Sequence, residues 1–122
     1  MSHDAGDVVL HLGSYVGKVL PVRGTLYVVG DGTMYLAGSE SHWRQGQVIR
    51  LDDERAGDGA ATIMRFVPPH GGGTAGWILD ATARGRITQT GEPGSAASIC
   101  DIEEVDLRDE YLTARMRLRD AF

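Results

Sequence analysis

From Val19 to Val29 apolar and polar side chains alternate with period two. Leu20, Val22, Gly24, Leu26 and Val28 share one face; Val19, Pro21, Arg23, Thr25, Tyr27 and Val29 share the other. Successive side chains of a strand point to opposite sides, so this pattern predicts a half-buried β-strand. Pro21 has no N–H for a ladder and belongs near the strand start or on an edge. Gly24 in mid-strand points to a bulge or strong coiling. Gly30-Asp31-Gly32-Thr33 predicts a hairpin turn, with Met34-Tyr35-Leu36-Ala37 as the return strand. A polar loop over 38–47 leads to a short strand at Val48–Leu51. An acidic loop follows over 52–59, then a segment at 60–67 compatible with a strand or a helical turn, then a glycine-rich loop over 68–76.

Trp77 to Thr90 predicts a long strand, with Trp77, Leu79, Ala81, Ala83, Gly85 and Ile87 on one face. Asp80, Thr82, Arg84, Arg86 and Thr88 lie on the other. A turn over 90–95 leads into a strand at Ala96–Leu107. The segment 109–122 fits two periods. As a strand, Leu112, Ala114, Met116 and Leu118 oppose Tyr111, Thr113, Arg115, Arg117 and Arg119. As a helix, Tyr111, Ala114 and Leu118 share a face. The unbroken alternation favours the strand. Residues 1–7 read as a flexible N-terminus, followed by the apolar run Val8-Val9-Leu10 and a turn-like lead-in at 13–18. Residues 8–122 read as one β-barrel domain.

Composition sharpens this picture. The 17 glycines fall mostly between apolar runs, as many tight turns between short antiparallel strands require. A chain of 122 residues buries roughly two thirds of its unfolded surface, enough for one core without a disulfide or metal. The net charge of −5 offers no overall basic excess, which counts against nonspecific nucleic-acid binding. Cys100 is the single cysteine, so no internal disulfide is expected. No run approaches the ~18 apolar residues of a membrane helix, and residues 1–12 lack the pattern of a signal peptide. The expected setting is the cytoplasm, with no membrane contact.

The segment Tyr15-Val16-Gly17-Lys18-Val19-Leu20-Pro21-Val22-Arg23-Gly24-Thr25-Leu26-Tyr27-Val28 resembles the opening of many OB-fold domains. In that family a Y-x-G-x-x-V-x-V-x-G-x-L lead-in forms a long coiled first strand that bends at its glycine. Ala81 to Ile87 followed by Ile99 to Leu107 resembles the closing hairpin of the same fold. The resemblance implies an all-β fold, a small five- to seven-stranded antiparallel barrel of OB-like type. It also implies a binding module, because OB folds often take oligonucleotides or oligosaccharides on the face of strands two and three and in nearby loops.

Catalytic constellations do not assemble. Pro69-His70-Gly71-Gly72-Gly73 is like the oxyanion segment of esterases, but no G-x-S-x-G elbow accompanies it. His3, His11, His42, His70 and Cys100 have no paired metal-ligand spacing. Asp52-Asp53-Glu54 with Asp58 lacks a calcium-loop pattern and reads as a solvated loop. Cys100, beside Ile99, reads as a small apolar filler. Neither a catalytic residue, a metal nor a cofactor is expected. Arg84 and Arg86, and Arg115, Arg117 and Arg119, form same-face stripes. Such stripes grip phosphates or pair with acids of a neighbouring strand, for which Asp101, Glu103, Glu104 and Asp106 are the candidates.

Aromatic and arginine side chains dominate binding hot spots. The candidate contact residues are accordingly Trp43 and Arg44 in the polar loop, Tyr35 on the return strand, and Arg84 and Arg86. Acidic charge ranks a protein partner ahead of single-stranded nucleic acid; a small inhibitor of the immunity or antitoxin type belongs to this class. The reading from another class is a small enzyme or small-molecule sensor with a pocket at the barrel mouth.

Overall fold

A computed structural model of the protein describes residues 2–52, 56–66, 75–89, 96–108 and 113–116. The long alternating segment is a strand, β2 (Val19–Val29), following a short β1 (His3–Asp4), α1 (Ala5–Leu10) and α2 (Leu12–Tyr15). Next come β3 (Met34–Ala37), α3 (Glu40–Arg44), β4 (Ile49–Leu51) and α4 (Ala56–Phe66). The chain then enters β5 (Ala75–Gln89), β6 (Ala97–Arg108) and β7 (Thr113–Met116). β2 pairs with both β3 and β5, and the path β2-β3-β4-β6-β5 returns to β2, closing a ring of hydrogen-bonded strands. β1 and β7 lie outside the ring, against β2 and β6. The architecture is mainly β and barrel-like.

One feature of the expected topology is corrected. The strands are not all antiparallel, because β4 runs parallel to β6 and β1 parallel to β2. Between β4 and β6 the chain passes through α4 and the whole of β5. A connection of that length brings a strand back in the same direction, as parallel pairing requires.

The β2–β3 turn is built as its sequence demands. Gly32 takes φ +94°, and the Asp31 carboxylate accepts hydrogen bonds from the Thr33 amide at 2.9 Å and the Thr33 hydroxyl at 2.6 Å. Those donors hold the Asp31 carboxyl below its usual range.

The core face matches the alternation. Leu20, Val22, Leu26 and Val28 of β2 meet Leu36, Leu79, Ile87, Ile99, Val105 and Leu107 inside the ring. Ala60 and Ile63 of α4 close one part of this core, and Ala5 and Val8 of α1 another; all four are fully buried. Residues 60–66 are therefore helical. Residues 3–7, read from sequence as part of a flexible N-terminus, form β1 alongside β2 and the start of α1. Residues 113–116 form a strand whose register sets Ala114 opposite Leu107 and Met116 opposite Val105; the rest of the 109–122 segment lies outside the described residues.

Of the bulge or strong coiling expected at Gly24, no bulge is present, and close packing requires the glycine. Its pairing with Ala81 is in regular register, but a Cβ there would stand 2.7 Å from the Ala37 carbonyl oxygen and 3.0 Å from the Ala5 Cβ. The missing side chain lets β3 and α1 approach β2 closely.

Candidate interaction surface

The outward positions of the same strands carry a second, smaller apolar cluster. Because Leu26, Leu36 and Leu79 point inward, their neighbours Tyr27, Tyr35 and Ile78 point outward, joined by Ala37 and Val48. Trp43 of α3 lies over them. Its ring stacks on Tyr27 with centroids 4.5 Å apart and planes 3° from parallel, and it meets Tyr35 at 5.7 Å and 53°. Burial pushes the Tyr27 phenol above its usual pKa, with the Glu40 charge adding to the shift.

The stretch read as a polar loop is thus partly a helix, and the helix delivers Trp43. Ser39 caps it, its hydroxyl accepting from the His42 amide at 3.2 Å. Arg44 lies on the outer side of α3, exposed, and donates to the Glu40 carboxylate at 2.7 Å one turn earlier. Arg50 of β4 stands opposite Tyr35 in register. Trp43, Arg44 and Tyr35 therefore belong to one surface.

Arg84 and Arg86 do not join it. From Ile78, beneath Trp43, to Arg84 is six strand residues, about 20 Å. Arg84 donates to Glu103 at 3.2 Å and Arg86 approaches Asp101 at 3.8 Å. The acids of β6 thus engage the arginines of β5 directly, one of the two roles open to that stripe. Arg84 and Glu103 are each more than a third exposed, so the pair is well screened. Arg84→Ala is expected to change unfolding free energy by no more than about 1 kcal/mol, measured by urea titration; a loss twice that size shows a structural role the exposed geometry does not provide. The side chains of Arg115, Arg117 and Arg119, the acidic group at 53–58 and the His70 segment lie outside the described residues.

Between the aromatic patch and the Arg84 pair the outer face sinks into a polar depression of about 490 Å³. Arg23 and Thr25 of β2, Asp80 and Thr82 of β5, and Asp106 and Arg108 of β6 line it. None of these six was singled out as a contact residue from sequence, nor were Tyr27 and Ile78. The available signal was an aromatic ring on the outward face of β2, in line with Arg23 and Thr25.

Among the described residues no group of three His, Cys, Asp or Glu side chains is placed to hold a metal ion, and no helix is long and apolar enough to cross a membrane. Comparison of the chain with protein-family models, curated proteins and solved structures finds no match.

Proposed function

We propose that this chain is an OB-type barrel acting as a noncatalytic binding module, and that Trp43, Tyr35 and Arg44 form its contact surface for a protein partner. The ring order supports the OB assignment: β2, β3 and β4 are its first three strands, and β6 sits between β4 and β5. In such barrels the second and third strands carry the binding face, and here those strands bear Tyr35 and Arg50.

The observation that carries the reading is the half-buried Trp43 over Tyr27, flanked by an exposed arginine. Aromatic and arginine anchors of this kind dominate protein interfaces. Single-stranded nucleic acid is less well served. Bases need free ring faces to stack on, whereas one face of Trp43 is taken by Tyr27. A strand of phosphates also needs a continuous basic track, and Arg84 and Arg86 are matched with acids. The net charge of −5 suits a basic protein partner.

A photo-reactive group at Tyr35, used in the source cell, tests the reading. The expected product is a protein adduct that survives nuclease treatment. Trp43→Ala should reduce its yield at least about tenfold, because losing a hot-spot aromatic costs 2 kcal/mol or more. Circular dichroism of the Trp43→Ala variant should show the fold retained. A nuclease-sensitive adduct transfers the site to nucleic acid, and an adduct indifferent to Trp43→Ala removes the surface from the function.

A further inference from the structure

The polar depression is chemically unlike the aromatic patch beside it. Six of its lining residues, all polar, sit in two rows across three strands. Arg23, Thr82 and Asp106 are in register in one row; Thr25, Asp80 and Arg108 are in register in the next. Among the described residues the side chains of Arg23, Asp80 and Arg108 have no ion-pair or hydrogen-bond partner. This contrasts with Arg84 and Arg86 further along β5, which meet acids. Asp80 and Arg108 are directly opposite one another, at a spacing that ordinarily lets charges pair across strands, yet they do not pair.

We propose that this depression binds a small zwitterion, a molecule with a free carboxylate and a free ammonium group, of which an α-amino acid is the smallest common form. The charges select it. Arg23 and Arg108 present two unmatched positive charges and Asp80 one unmatched negative charge, so a multiply charged anion gains from the arginines but is opposed by Asp80. A simple cation meets the reverse. A zwitterion satisfies both signs at once. Its carboxylate lies over the central strand at Thr82, within reach of the guanidinium forks from the flanking strands, which bind carboxylates with two hydrogen bonds. Its ammonium group lies toward Asp80, one row away. The volume is that of an ordinary small-ligand site, with room to spare for one amino acid. The site is separate from the protein-binding surface and does not depend on it.

The test titrates the full chain with free L-amino acids, each beside its N-acetyl and its amide form, following backbone amide resonances by NMR. At least one free amino acid is expected to shift the amides of residues 23, 80–82 and 106–108 saturably, at or below about 10 mM. Blocking either end should weaken binding about tenfold, the loss of one charge-assisted contact. Arg23→Gln and Asp80→Asn, both at exposed positions, should each do the same with unchanged melting. Trp43→Ala should leave binding intact, which separates failure of this site from failure of the partner surface. No saturable shift from any amino acid overturns the proposal. So does equal binding of the blocked forms, or a response of the same amides to glucose or inorganic phosphate instead. The ligand-blocking comparison uses the native chain, so it decides the matter even if a variant fails to fold.

Discussion

Gly85→Ala is expected to lower the melting temperature by about 10 °C, the effect of a 2–3 kcal/mol loss in a domain of this size. The cause is local and steric. Between the pairs Arg84↔Glu104 and Arg86↔Cys100, β6 carries three residues, 101–103, where β5 carries Gly85 alone. This bulge folds back over Gly85. A Cβ there would stand 2.7 Å from the Cys100 carbonyl oxygen, 3.0 Å from Ile99 Cγ1 and 3.3 Å from Ile102 Cα. Two of those three atoms are backbone, so no rotamer change relieves the clash. The backbone is also fixed on both sides, by the Arg86↔Cys100 pairing and by Asp101, which holds φ +48°. Gly13→Ala is the control. Gly13 lies in α2 with nothing within 4 Å of a built Cβ, and alanine is the better helix former by about 1 kcal/mol. Calorimetry of the two variants should show opposite shifts. A Gly85→Ala variant that melts like the native chain would show that the bulge does not close over β5.

The strand ring is legible in the sequence where inside and outside differ residue by residue. β2 and β5 each alternate over many residues, and every buried position assigned from that alternation between Leu79 and Ile87 is buried. The pairing of Arg84 and Arg86 with acids of β6 was also within reach, because both stripes stand on adjacent strands. What escaped was of three kinds. α3 is a five-residue helix, too short to show a period, and its only local sign is the capping serine at 39. The parallel contact of β4 with β6 joins residues nearly fifty apart and leaves no local mark. The polar depression draws its lining from three strands whose register the chain does not advertise. Gly24 was recognised as special, but the close approach of Ala37 and Ala5, both distant in sequence, left no local sign.

The segment at 60–67 raises the same issue and yields the largest effect expected. Ile63→Asp should leave no cooperatively folded protein at neutral pH. Ile63 and Ala60 are fully buried in the main core, whereas Ala61 and Arg65 are exposed. Two buried positions three apart share a face of a helix but lie on opposite faces of a strand. Through that face α4 closes the ring of strands. An aspartate at 63 must either bury an unpaired carboxylate or stay protonated. The first costs several kcal/mol, a large part of the 5–15 kcal/mol that holds a domain together. Burial raises the carboxyl pKa in the folded state above the unfolded value of about 3.9. The ionisation part of the penalty therefore vanishes below about pH 4 and grows as pH rises above it, while the loss of the buried isoleucine side chain remains at every pH. Ala60→Asp should be comparably severe, and Arg65→Ala should change stability by less than about 0.5 kcal/mol, as exposed substitutions do. Circular dichroism melts at pH 7 and near pH 4 measure all three. If Ile63→Asp melts cooperatively at pH 7 within 1 kcal/mol of the native chain, α4 does not seal the core. A severe Ile63→Asp beside a tolerated Ala60→Asp rejects the helical face and restores the strand.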